Sequence, residues 1–243
     1  MSKAPRLYVD SPLAAGTAFA LDADQAHYLM NVMRRNDGDP VIVFNGRDGE
    51  WQGALRRTGK RAAEIDPVEK RRDQSFPVDI HYCFAPIKRA RLDFIAQKAT
   101  ELGAARLRPV LTRYTVSERV KTERLAANAV EAAEQCGILW VPEVDDPVAL
   151  ETFLATRDPA RWLIFCDESA PVADPVTALR GVPDAPLAVL IGPEGGFSEE
   201  ERDALRRADN VLAISLGPRV MRADTAGIAA MTLVQAIKGD WSA

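Results

Sequence analysis

The chain has 243 residues, of which 47% are hydrophobic and 27% charged, with a net charge of −4. That is a globular composition, long enough for two ordinary domains. It contains no apolar run of the roughly eighteen residues a membrane helix needs, and Met1 to Arg6 lack the apolar core of a signal peptide, so a cytoplasmic protein with no membrane partner is expected. Cys83, Cys136 and Cys166 form no C-x-x-C pair and read as reduced thiols. His27 and His81 are too isolated to suggest a metal site.

Taken in order, Arg6 to Val9 predicts a first strand. Asp22 or Asp24 caps a short helix running through Arg34. Val41 to Phe44 is a strand, and Asn45-Gly46 and Asp48-Gly49 are hairpin signals. Trp51 to Arg57 and Arg61 to Ile65 supply further strands. This makes a compact β-rich domain of about seventy residues, small for an independent core. Pro67 to Pro77 is polar, charged and bounded by prolines, and reads as a linker. Residues up to Arg91 carry 15 Lys and Arg against 12 Asp and Glu, and the rest carry 16 against 23. The basic residues come in clusters: Arg34-Arg35, Arg56-Arg57, Lys60-Arg61, Lys70-Arg71-Arg72 and Lys88 to Arg91. A basic module joined to an acidic one fits phosphate contact by the first, as well as a plain solvated surface.

The second domain alternates. Val78 to Phe84 predicts a strand, Arg91 to Leu102 a helix ended by Gly103, Leu107 to Leu111 a strand, and Thr122 to Cys136 a helix stopped by Gly137. Trp162 to Cys166 is a strand. Strand-helix alternation implies a parallel sheet. On the Thr122 helix, Asn128, Glu131 and Gln135 share one face, with Glu134 beside them. Lys98 and Glu101 sit on the preceding helix. Both sets read equally as solvated polar faces.

Two glycine-proline turns then follow two apolar strands. Ala188 to Ile191 runs into Gly192-Pro193-Glu194-Gly195-Gly196-Phe197-Ser198, where Ser198 and Glu201 form a capping box. Val211 to Ile214 runs into Leu216-Gly217-Pro218-Arg219-Val220-Met221-Arg222-Ala223-Asp224-Thr225-Ala226 and a closing helix from Asp224 to Lys238. Ligands of open α/β sheets sit just outside the carboxyl ends of strands. Neither turn is a Walker loop or a G-x-G-x-x-G fingerprint.

These two turns resemble those of the SPOUT class of RNA methyltransferases. Within it they are similar to the family that methylates N3 of a uridine in 16S ribosomal RNA. The similarity extends to Lys98 to Gly103, Glu131 to Gly137, Arg6 to Val9, His27 to Arg34, and Phe44 to Trp51. The resemblance implies residues 1–72 as a PUA-like RNA-binding β-barrel. It implies residues 73–243 as an α/β SPOUT domain whose C-terminal part is tied in a trefoil knot. It also implies S-adenosylmethionine as cofactor, 16S rRNA or the small ribosomal subunit as partner, and a homodimer that would use the small face of the last helix, Ala226, Gly227, Ala229 and Ala230. By resemblance the cofactor is held by Cys166-Asp167-Glu168 and by Leu190, Ile191, Gly192, Glu194, Gly195, Gly196, Leu216, Gly217, Arg219, Met221 and Arg222. Three places depart from the family pattern: Asp224 replaces a usual Glu, Ile138 a frequent Arg, and Arg113-Tyr114-Thr115 a more usual Arg-Ser segment.

Methyl transfer from a sulfonium is an in-line displacement, so alignment dominates. N3 of uracil carries a proton, so a base must remove it or cations must stabilise the anion. N3 is also hidden in a paired base, so the uridine must be unpaired or flipped out. Arg222, Glu194 and Asp224 are the catalytic candidates, and Arg6, Arg34 and Arg35 the RNA-binding ones. Two alternatives remain: a SPOUT methyltransferase acting on another RNA such as tRNA, and a non-catalytic RNA-binding or ribosome-assembly protein.

Overall fold

The computed structural model describes residues 4–116, 119–170 and 174–242. It divides into two compact units, Met1–Phe76 with Ala133–Val141, and Pro77–Ala132 with Pro142–Ala243.

The first unit is built on β1 (Arg6–Tyr8), β2 (Phe19–Ala20), α1 (Ala23–His27), β3 (Pro40–Phe44), β4 (Glu50–Arg57) and β5 (Ala63–Arg72). The strand order is β1-β3-β4-β5-β2, with β1 parallel to β3 and the other pairs antiparallel. Alternating strand residues Leu7, Val41, Val43, Leu55 and Ile65 meet Ala26 and Leu29 in one core, as a half-buried sheet requires. Asp22 and Gln25 form a reciprocal capping box at the start of α1. The chain then makes one π-helical turn over Tyr28–Val32, and Arg34 leaves the helical region with φ 52°. Asn45 Oδ1 accepts from the amides of Arg47 and Asp48 at 3.0 and 2.8 Å, which closes the β3–β4 hairpin.

The expected linker from Pro67 to Pro77 is corrected here. Its first half continues β5 to Arg72, paired with β4. Pro67 is accommodated because it lies opposite Gly53, beside a register shift between Gln52 and Gly53; bulges are where a strand tolerates a residue with no amide hydrogen.

The second unit holds β6 (Ile80–Phe84), α2 (Arg89–Glu101), β7 (Arg106–Leu111), α3 (Thr122–Cys136), β8 (Glu143–Val144), β9 (Val148–Ala149), α4 (Leu150–Thr156), β10 (Trp162–Cys166), α5 (Pro175–Arg180), β11 (Leu187–Ile191), α6 (Glu199–Arg207), β12 (Val211–Ile214) and α7 (Ala223–Lys238). The last turn of α3, from Ala133, belongs to the first unit. The sheet order is β12-β10-β11-β6-β7-β8, with β9 also on β7, and every pair is parallel. β11 is buried along its whole length, which explains its unbroken apolar sequence.

Of the Asn128 face, Glu131 and Gln135 are exposed, while Asn128 joins α3 to α2. Asn128 accepts from Gln97 Nε2 of α2 at 3.1 Å and donates to Asp93 at 3.3 Å. Arg124 pairs with the same Asp93 at 2.5 Å. Gly103 has φ +78°, and a Cβ there would stand 2.6 Å from Gln235 Nε2. That side chain, fully buried, donates to Leu102 O at 2.7 Å. The small face of α7 is also occupied within the chain. Gly227 and Ala230 are buried, and a Cβ on Gly227 would lie 2.0 Å from the Tyr82 hydroxyl. The face expected to serve a second copy is thus used for helix-on-sheet packing.

Gly227→Ala is therefore expected to lower stability by about 1–3 kcal/mol through overpacking, read as the shift in urea midpoint. His81 gives a pH-dependent test. Burial holds its pKa down to about 4, against about 6.5 when unfolded. The unfolded chain takes up this proton first, so stability is intact above pH 6.5 and falls as the pH drops toward 4, by roughly 3 kcal/mol in full. Urea titrations at pH 7 and 4.5 should show a smaller loss in His81→Leu than in the wild type.

Candidate functional site

The loops after β10 and β12 meet because their strands are neighbours. Cys166 pairs in register with Ile214, and the Asp167 amide donates to Ile214 O at 3.0 Å. The loop after β11 joins them through charge. The Asp167 side chain is completely buried, and its two oxygens take Arg202 Nε at 3.2 Å and Arg206 Nη2 at 3.0 Å. Both arginines lie on α6. Arg202 also holds Glu168 at 2.8 Å. A Cβ on Gly196 would stand 3.1 Å from Glu168 Oε1 and 3.4 Å from Arg202 Nη2, at a backbone φ of +72°. Glycine is required there because both the conformation and the close approach exclude a side chain. The Ser198–Glu201 capping box is present, and Glu201 Oε1 further accepts the Arg113 amide at 2.7 Å.

Between these loops lies a cleft of about 70 Å³ lined by Cys166, Asp167, Glu168, Ser215, Leu216, Gly217, Arg219, Val220, Met221 and Ala226. Its walls combine apolar side chains with exposed backbone. Gly217 has φ +108° and nothing within 4 Å of where a Cβ would stand. Burial pushes the Cys166 thiol up to about 12, so it is a neutral packing group rather than a nucleophile.

The predicted residues divide among several settings. Cys166, Leu216, Gly217, Arg219 and Met221 line the cleft. Leu190 and Ile191 are buried within β11. Gly192 is pressed by the Phe197 ring, 2.5 Å from where a Cβ would be, and Phe197 in turn packs edge-on to Phe165. Gly195 approaches the Cβ of Tyr114, at 3.3 Å from its own would-be Cβ. Arg222 is exposed at the N-cap of α7 and makes no side-chain cap hydrogen bond.

The catalytic candidates Glu194 and Asp224 are brought together by a residue the sequence placed in a basic cluster and at a helix start, not in the site. Arg91, in the first turns of α2, pairs through Nη1 with Glu194, and its Nε lies 3.7 Å from Asp224 Oδ2. Asp224 also lines a small cavity with Tyr82, Lys98 and Gly227. Burial raises the Tyr82 phenol pKa, and the nearby Cys166, Cys83 and Asp224 raise it further. A helix start after a basic run was the available signal for Arg91; its two partners, more than a hundred residues away in the chain, were not.

In the first unit, Arg6 is committed inward. Its Nε donates to Glu50 at 2.6 Å, Nη1 to Ala133 O at 2.5 Å, and Nη2 to Ile138 O at 2.7 Å; the guanidinium also lies over the Phe44 ring at 4.0 Å. Burial lowers its pKa. Burial also opposes ionisation of Glu50, yet hydrogen bonds from Arg72 and Arg6 hold its carboxyl below the usual range. The Glu134 carboxylate accepts the Tyr8 amide at 2.9 Å. Arg34 is exposed and Arg35 half-buried. A larger cleft of about 650 Å³ includes Tyr28, Gln52, Arg71, Arg72 and Gln135 in its walls, and Arg71 reaches Gln52 Oε1 at 2.8 Å while its side chain is 48% exposed.

Known proteins resemble the whole chain. A family model described as an RNA methyltransferase domain matches residues 74–235, and one described as an RNA methyltransferase PUA domain matches residues 21–68. The curated ribosomal RNA small subunit methyltransferase E of Rickettsia conorii is 28% identical over 232 residues, covering 95% of this chain and 94% of the relative. A putative methyltransferase from Legionella pneumophila, solved in complex with the bound cofactor SAM, superposes with a TM-score of 0.83 at 27% identity. It covers 98% of this chain and 99% of that one. The fold is also that of the ribosomal RNA small subunit methyltransferase E of Neisseria gonorrhoeae, with a TM-score of 0.88 at 24% identity over 98% of this chain and 100% of that one.

Asp167→Asn removes the charge shared by Arg202 and Arg206; Arg202 keeps Glu168 and Glu199, and Arg206 is 40% exposed, so the expected cost is that of lost charged hydrogen bonds, about 1–3 kcal/mol. Thermal melting should show that loss, whereas Glu168→Gln, with 49% of its side chain exposed, should stay within about 1 kcal/mol.

Proposed function

We propose an activity from one premise, that the chain belongs to the RNA methyltransferase family whose domain spans residues 74–235. The chain is an S-adenosylmethionine-dependent methyltransferase that modifies N3 of a uridine in 16S rRNA within the small ribosomal subunit. The observation that carries this reading is the cleft between the loops after β10 and β12. Its residues fit the cofactor. Leu216, Val220 and Met221 give an apolar wall for a flat purine, the open backbone at Gly217 allows close approach, and the Glu168 carboxylate suits hydroxyls or a cationic group. When bound, S-adenosylmethionine supplies a methyl group whose bond to sulfur breaks, the electron pair leaving on sulfur, as the acceptor nitrogen forms the new bond.

The chain's own residues supply the rest. Asp167, through Arg202 and Arg206, fixes the walls before anything binds, so alignment does not have to be created during reaction. Glu194 or Asp224 takes the proton of N3–H, the electron pair staying on nitrogen. Arg219 and Arg222, both exposed, hold phosphate or a uracil oxygen and favour the developing anion. Residues 1–72 form the RNA-binding domain and residues 73–243 the methyltransferase domain. Arg34, Arg35 and Arg71 are the contacts this reading places on RNA, while Arg6 acts by holding the first unit in shape.

A trefoil knot and a homodimer belong to the same reading. The sheet order supports the first, since β12 lies beside β10 and not beside β11, which precedes it. Phe94 and Val220, 39% and 86% exposed, are apolar surface that a second copy would cover. No described helix is long and apolar enough to cross a membrane, which is compatible with action in the cytoplasm, where ribosomal subunits are made.

Tritiated methyl transfer to small subunits from cells lacking the modification, with naked rRNA and tRNA in parallel, tests the reading. Label recovered as 3-methyluridine from subunits is the expected result; label on tRNA, or none, contradicts it. Arg222→Ala should abolish transfer while keeping cofactor affinity within a few-fold by calorimetry. Equal loss of both would assign Arg222 a structural role.

A further inference from the structure

We propose that Arg91 is a positioning residue for the reaction, clamping the Glu194 and Asp224 side chains on the segments that flank the cleft. The inference rests on the methyltransferase reading and deepens it. Glu194 belongs to the Gly-Pro loop after β11, and Asp224 to the first turn of α7, two residues before Ala226 of the cleft wall. One guanidinium, 29% exposed, lies between them.

The other groups around the two acids do not replace it. Asp224 shares its small cavity with Lys98 and Tyr82, but Lys98 is held by Glu101 at 2.7 Å, and the Tyr82 phenol is buried, with Cys83 and Cys166 near it as the other titratable groups. On the loop side, Gly195 next to Glu194 packs on the ring stem of Tyr114. Arg222 is exposed at the helix N-cap. Arg91 is thus the cation shared by both candidate bases. The α2 start, the β11 loop and the α7 start are linked through it, so it sets where a proton acceptor stands.

The test is the kinetics of methyl transfer to small subunits, with cofactor affinity and thermal melting measured on the same proteins. In Arg91→Gln turnover should fall about tenfold, with the KM for subunits and the cofactor affinity changed less than threefold. Arg91→Lys should recover part of that turnover. Arg91→Met, which keeps the length of the stem, carries the same expectation as Arg91→Gln should that variant fail to fold. An unchanged turnover, or a KM or cofactor affinity that worsens by the same factor as turnover falls, overturns the inference. A wild-type protein that transfers no methyl group brings down the functional reading itself, so the two failures are distinguishable.

Discussion

A single buried carboxylate sets the geometry on which the site depends. Asp167 leaves the end of β10, takes two arginines from α6, and gives its amide to the end of β12. A completely buried charge is stable only with partners of opposite sign and good geometry, and here the partners come from the element that follows the first Gly-Pro loop. Three chain segments far apart in sequence are thereby locked at one edge of a parallel sheet. The cleft is what remains between them.

Function follows from that rigidity. Methyl transfer needs little covalent help from protein groups and much alignment, so a wall of Leu216, Gly217 and Met221 that is already in place is the relevant asset. The two candidate carboxylates are organised separately. Arg91 gathers Glu194 and Asp224 on the flanking segments, while Cys166, the one thiol in the cleft wall, is kept neutral by burial. The cleft wall and this ion-paired group are held by different helices, α6 for the first and α2 for the second.

Much of this was legible in the sequence for local reasons. Thr122–Cys136 and Trp162–Cys166 match their expected limits because capping, stop glycines and unbroken apolar runs act within a few residues. The capping box at Ser198 was readable for the same reason. The six residues from Pro67 to Arg72 were misread as linker because strand pairing with β4, through a bulge that admits proline, is a property of two strands and not of one. Glu131 and Gln135 of α3 are exposed as a solvated face would be, but the tie of Asn128 to Asp93 and Gln97 of α2 was not legible, because those residues are more than thirty positions away. The small face of α7 was matched to a second copy, but the partner is Tyr82 of its own sheet. Among site residues, glycines of the turns were evident, whereas Arg91 has no local signature; its role exists only where three loops meet.

If the cleft between the loops after β10 and β12 binds the methyl donor, amide hydrogen exchange with and without S-adenosylmethionine should report it. Slowed exchange is expected in residues 166–168 and 215–222, with residues 192–196 slowed through their tie to Glu168 and Arg202. Binding of the cofactor with exchange in those segments unchanged, or with protection confined to residues 4–76, would contradict it.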